Sequence, residues 1–198
     1  MFEGFVTKPI AVGAVSIATR IGGSGPPLLL LHGYPQTHAM WHKIAPALAR
    51  HFTVVVPDLR GYGESSKPES GSDHEAYSKR ALAADQVGVM KELGFKHFHV
   101  AGHDRGARVV HRMCLDHANA VTKAALLDIL PTATVFANTD KMLATRYFHW
   151  FFLIQPNALP ERMIAANPDL WLDQLLGSWA GRADVFTPEA LAHYRRAF

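Results

Sequence analysis

The residues best suited to chemistry in this chain fall within Gly102-His103-Asp104-Arg105-Gly106-Ala107-Arg108. An apolar run, Phe98-His99-Val100-Ala101, leads into this stretch, and a helix-period pattern, Val109, Val110, Met113 and Cys114, leads out. A strand, a sharp Gly-x-X-x-Gly turn and a helix are the setting of a nucleophile elbow. The two glycines permit the tight backbone path and the close packing of helix on strand. The residue thrust up between them is Asp104, where Ser or Cys would serve acyl transfer. A carboxylate is a poor acyl-transfer nucleophile but a workable one for SN2 attack on saturated carbon bearing a leaving group. The intermediate would be an alkyl ester of Asp104. Water must then attack the aspartyl carbonyl, so an oxyanion develops on Asp104 itself. The backbone N–H groups of Tyr34 and Arg105 are the expected donors to it. The plainer alternative is that Asp104 caps the following helix, which leaves the glycines and the strand context without a purpose.

Arg105 and Arg108 stand three apart at the start of that helix and share a face. Cations there oppose the helix dipole, so their placement needs a reason. Two guanidiniums beside a nucleophile can clamp a substrate carboxylate; the alternative is a pair of solvent-facing arginines. Asp128 closes an apolar strand, where a charge is costly. It could orient a catalytic histidine as the acid of a triad, or cap a turn before Pro131. His149-Trp150 lies in an apolar, aromatic stretch. Imidazole and indole N–H groups both donate and together could receive a departing halide, although Trp150 alone would as readily be core.

The elements that must position these residues follow from local pattern. Ile10–Arg20 reads as a first strand or hairpin. Leu28–Leu31, Phe52–Val56, Phe98–Ala101 and Val121–Ile129 read as buried strands, apolar on both faces. Trp41–Arg50 and Tyr77–Leu93 have helix spacing, the second stopped by Gly94, and a third helix runs from the elbow to about His117. Strands alternating with helices predict a three-layer α/β arrangement with a mostly parallel sheet. Functional loops then gather at the carboxyl ends of the strands: His32–Pro35, Asp104–Arg108 and Asp128. After Pro131 the strands stop. Aromatic runs punctuated by Pro156, Pro160, Pro168 and Pro188 predict short helices forming a cap.

Composition narrows the class further. A chain of 198 residues, 48% apolar and 19% charged, suits one globular domain or a domain with an insertion. A net charge of +3 is too mild and too evenly spread for a nucleic-acid partner. The 12 histidines carry no metal-ligand spacing. The single cysteine, Cys114, excludes an internal disulfide and reads as a small buried hydrophobe. The N-terminus lacks a signal core and no run nears the ~18 apolar residues of a membrane span, so a cytoplasmic protein without membrane or metal is expected.

Leu31-His32-Gly33-Tyr34-Pro35-Gln36-Thr37-His38, Asp58-Leu59-Arg60-Gly61-Tyr62-Gly63, the elbow, Leu127-Asp128-Ile129 and His149-Trp150 together resemble the haloacetate dehalogenases. His-Gly-x-Pro is shared with epoxide hydrolases, whereas the Asp-Arg-x-x-Arg elbow with the His-Trp pair is more specific. The resemblance implies an α/β-hydrolase core over residues 1–131 and an inserted helical cap over 132–198. It implies Asp104 as nucleophile, Asp128 as the acid partner of a histidine, and Arg105 and Arg108 on the substrate carboxylate. It implies His149 and Trp150 as halide donors, no cofactor, a 2-haloacid substrate converted to the 2-hydroxy acid, and a homodimer. Ala107 stands where Gly is usual in that family. The family's catalytic histidine lies near its C-terminus after further strands, and no strand-like run follows Ile129 here. The expectation is a piece of a longer protein, truncated before the last strands. Two alternatives stand beside this: an epoxide hydrolase using Tyr147 and Tyr194 as proton donors, and a non-catalytic fragment able only to form the ester.

Overall fold

The computed structural model describes residues 1–182 and 184–198. Its sheet has six strands: β1 (Val6–Val12), β2 (Val15–Gly22), β3 (Pro27–Leu31), β4 (Thr53–Pro57), β5 (Phe98–His103) and β6 (Val121–Leu127), in the order β1-β2-β4-β3-β5-β6. The hairpin β1–β2 is antiparallel and β2 joins β4 antiparallel; β3 pairs parallel with β4 and β5, and β5 with β6. The sheet is therefore mixed but mostly parallel, with the hairpin at one edge.

The apolar runs are divided by the strand period of two. Leu30 of β3 and Val54 and Val56 of β4 meet Trp41 and Ala45 on one face. Leu29, Leu31, Val55 and Val100 point the other way, into a core shared with helices α2 (Lys79–Glu92) and α3 (Arg105–Asp116). Leu82, Val89 and Met90 of α2 and Val109, Val110 and Met113 of α3 complete that core. Covering both faces buries each strand leucine for roughly 1.5–3 kcal/mol. Local signals set the helix ends: Ser78 Oγ accepts from Ala81 N–H (3.1 Å) at the start of α2, and Gly94, at φ +84°, stops it.

Two expected elements differ. Trp41–Arg50 does not form one helix; a 3₁₀ turn, His38–Trp41, precedes the four-residue helix α1 (Ala45–Leu48), with Pro46 in its first turn. β6 is not a fourth buried strand. Leu126 and Leu127 are 43% and 44% exposed, and β6 pairs with β5 alone among the described strands. An apolar run fixes strand propensity, but burial depends on what neighbours it.

The chain forms two compact units: residues 1–129 with 187–197, and residues 130–186 with Phe198. The second unit contains α4 (Thr132–Ala137), α5 (Lys141–Arg146), α6 (Phe148–Phe152), α7 (Leu159–Ala166) and α8 (Pro168–Trp179). Asp140 and Asn167 cap α5 and α8 through Leu143 N–H (2.7 Å) and Leu170 N–H (3.0 Å). Trp171 of α8 packs against Phe148 and Phe152 of α6 at 5.8 and 5.2 Å. The last helix, α9 (Pro188–Ala197), groups with the first unit, whereas the sequence places it in the cap. Tyr194 is buried there and receives a hydrogen bond from Gln36 Nε2 (3.2 Å), and the His193 ring lies 4.8 Å from that of His38. Among the described residues no helix is long and apolar enough to cross a membrane.

Candidate active site

The elbow is built at the carboxyl end of β5. Asp104 adopts φ 47°, ψ −116°, a left-handed conformation unfavourable to a branched residue and held by its surroundings. A Cβ on Gly102 would lie 2.6 Å from Gly106 C, and one on Gly106 would lie 2.4 Å from the carbonyl oxygen of Leu31. Both glycines are thus required by the approach of α3 to β3 and β5. The Asp104 side chain makes no cap hydrogen bond to α3, so the helix-cap alternative fails. Its Oδ2 instead accepts the backbone N–H of Tyr34 at 3.0 Å. That leaves Oδ1 clear of the Tyr34 N–H. The approach needs Gly33, because a Cβ there would sit 2.6 Å from the Cβ of Asp104.

Arg105 follows Asp104 directly and opens α3. Its Nη1–H donates to the Tyr62 hydroxyl (3.0 Å) and its guanidinium stands 4.7 Å over the Tyr34 ring. Burial pushes the Tyr62 hydroxyl pKa up against the opposing pull of Arg105, so the phenol stays neutral. Arg108 is buried in the first turn of α3, its N–H donating to Asp104 C=O (3.1 Å).

Asp128 follows β6 at φ +58°, its side chain 85% exposed. The Asp104 N–H donates to Leu127 C=O (3.2 Å), which sets the end of β6 beside the elbow. The imidazole that approaches Asp128 is His103, Nε2 to Oδ2 3.7 Å, beyond hydrogen-bond length. His149 and Trp150 are consecutive on α6 in the second unit. The His149 ring is buried 4.7 Å from that of Trp179, and Trp150 packs on Phe136 and Tyr147 at 5.6 and 5.4 Å.

A network not anticipated from sequence supports the first unit's loops. Asp58 is fully buried after β4 and accepts from His38 N–H and His38 Nδ1, both at 2.8 Å, and from Glu64 N–H at 3.1 Å. Burial alone would raise its pKa; the hydrogen bond and charge of His38 outweigh this and hold the carboxyl well below the usual range. His32 Nε2 accepts from Leu59 N–H (3.0 Å), so its proton sits on Nδ1, which donates to Gly33 C=O (3.0 Å). Burial lowers the His32 pKa and keeps that ring neutral. These bonds tie the loop carrying Tyr34 to the loop carrying Tyr62. The signal was present: Asp58 directly follows an apolar run, as Asp128 does.

Residues 26–159 match the alpha/beta hydrolase fold family. The chain belongs to that family. As an α/β hydrolase it is 52% identical over 197 residues to fluoroacetate dehalogenase of Burkholderia sp., covering 99% of this chain and 65% of that protein. It is 34% identical over 177 residues to soluble epoxide hydrolase of Corynebacterium sp. strain C12, covering 88% of this chain and 60% of the relative. A solved structure of a candidate α/β hydrolase from Nostoc sp. PCC 7120 is similar at a TM-score of 0.98 and 55% identity, over all of this chain and 68% of that one. The chain thus spans less than two thirds of the length of either curated relative.

Proposed function

We propose that this α/β hydrolase removes halide from short 2-haloacids such as haloacetate, giving the 2-hydroxy acid, glycolate, and halide. The observation that carries the reading is the Asp104 carboxylate, presented on a strained backbone with one oxygen held by Tyr34 N–H, at the head of the helix that Arg105 opens. The 52% identity to fluoroacetate dehalogenase supports it. Arg105 and Arg108 hold the substrate carboxylate. Asp104 Oδ1 attacks the halogen-bearing carbon, the carbon–halogen bond breaks, and halide leaves with the electron pair to the N–H donors of His149 and Trp150. Water then adds to Asp104 Cγ. The developing oxyanion takes the place of Oδ2, already aimed at Tyr34 N–H, with Arg105 N–H as second donor. Asp128 orients the imidazole of a histidine that the family resemblance places outside these 198 residues, and that imidazole takes the proton from this water. Cleavage of the ester frees glycolate and restores the carboxylate.

A second reading, epoxide hydrolysis, draws on the similarity to the Corynebacterium enzyme. It needs an acidic phenol near the nucleophile. Tyr194 is a poor candidate, because burial pushes its pKa up and Gln36 already bonds its hydroxyl. It also gives no substrate anion for the guanidinium of Arg105 to meet. The two readings separate on a panel of chloroacetate, fluoroacetate and epoxides, with halide measured by ion chromatography and the Asp104 peptide by mass spectrometry. Halide release with covalent modification of Asp104 is expected. Diol formation without halide release would overturn the dehalogenase assignment.

Tyr62 supplies a smaller, separable effect. A hydrogen bond to a charged group contributes about 1.5–3 kcal/mol, and Tyr62→Phe removes the acceptor that fixes Arg105. The KM for chloroacetate is expected to rise about 10-fold, with kcat changed much less, in steady-state assays of halide release.

A further inference from the structure

The helix α9 turns one face to the first unit: Ala190, His193 and Tyr194 are its buried residues. Ala190 is small, and the Tyr194 hydroxyl accepts from Gln36 Nε2 (3.2 Å). An imidazole therefore stands where an apolar side chain would ordinarily seal the helix down. The His193 ring meets that of His38 edge to face, with centroids 4.8 Å apart. The two rings differ in what can hold a proton on them. His38 Nδ1 lies 2.8 Å from the Asp58 carboxylate, a ready partner for an imidazolium. His193 Nε2 is buried and has no hydrogen-bond partner among the described residues. The neutral His193 ring can carry its single proton on Nδ1, but the imidazolium must also bury an N–H on Nε2 with no acceptor. The charges that act on His193 come from His38, Asp58, Glu64 on the loop after β4, and Arg196 on α9. Glu189, one turn earlier on α9, is exposed and feels the Met1 amino group and His42. Burial, with His38 and Arg196, outweighs the pull of Asp58 and Glu64 and lowers the His193 pKa.

We propose that His193 is a proton-operated latch: neutral, it seats α9 on the turn carrying His38, and protonated, it releases the helix to water. Release also breaks the bond between Tyr194 and Gln36, on the loop whose Tyr34 N–H holds Asp104 Oδ2. The latch thereby reaches the elbow without touching it. The folded pKa of His193 lies below its ordinary value of about 6.5, so docking is complete above that value. It weakens as pH falls from there toward the folded pKa, because the released helix binds the extra proton.

The test follows amide hydrogen exchange of α9 and the His193 Cε1–H resonance by NMR, in the protein and in its His193→Phe and His193→Gln variants, whose side chains stay neutral. In the unsubstituted protein the α9 protection factors are expected to fall about 5-fold between about pH 7 and about pH 5.5, relative to those of β4. In the variants they are expected to stay level. The His193 resonance should titrate below the ordinary histidine value. Protection indifferent to pH in the unsubstituted protein, or an equal fall in the variants, would overturn the proposal. If neither variant docks α9 at neutral pH, the His193 titration decides: a midpoint below the ordinary value supports the latch, and one at or above it overturns it. None of these readouts depends on halide release, so the latch and the dehalogenase reading stand or fall separately.

Discussion

Asp104→Asn reduces chloride release from chloroacetate by on the order of 10⁴-fold or more, while circular dichroism and thermal melting stay close to those of the unsubstituted protein. The two halves of this expectation have different causes. Asn is nearly isosteric with Asp and among the side chains most tolerant of positive φ, so the elbow at φ 47° survives. Its amide oxygen can still accept from Tyr34 N–H, which holds Oδ2 at 3.0 Å in the unsubstituted chain. What is lost is the negative charge that attacks carbon, and a neutral amide is a far weaker nucleophile. Mass spectrometry separates this from incidental labelling, because Cys114, on α3, is partly exposed and could itself react with chloroacetate. A modified Asp104 peptide in the unsubstituted protein, absent from the variant with Cys114 labelling equal in both, is the expected pattern. Halide release at an unchanged rate would remove Asp104 from the nucleophile's role.

The elbow was legible because all its requirements are local. An apolar strand, two glycines four apart and a helix pattern lie within about twenty consecutive residues, and the backbone clashes that demand Gly102 and Gly106 involve adjacent elements. Tyr62 was not, because its hydrogen bond with Arg105 exists only after the loop following β4 meets the start of α3. Val121–Leu127 has the composition of a central strand, yet among the described residues it pairs with β5 alone, in keeping with the absence of a strand-like run after Ile129. The aromatic texture after Pro131 suggested that one body ran to the end of the chain. The last helix escapes that pattern through two residues, His193 and Tyr194, which meet His38 and Gln36. Nothing in the local sequence marks those pairings.

Asp58→Ala destabilises the fold by about 3–5 kcal/mol, a large share of the roughly 5–15 kcal/mol available to a typical domain. The carboxylate is fully buried, and its loss strands three donors: His38 N–H, His38 Nδ1 and Glu64 N–H. Buried donors without acceptors carry their full desolvation penalty, and the missing side chain adds a cavity. The effect has a characteristic pH dependence. The folded pKa of Asp58 is held below its ordinary value, so the carboxylate's stabilisation is fully present above about pH 4 and is lost only as pH falls through the lower folded value. Urea melts of both proteins should therefore differ by a constant amount from about pH 7 to pH 5 and converge in stronger acid. A difference that vanished already at pH 5 would mean that His38 is not what holds the carboxylate ionised. Activity should fall together with stability, since the same bonds join the loop bearing Tyr34 N–H to the loop bearing Tyr62, and Tyr62 in turn fixes Arg105. A buried carboxylate that touches neither nucleophile nor substrate thereby sets the positions of both the oxyanion donor and the guanidinium.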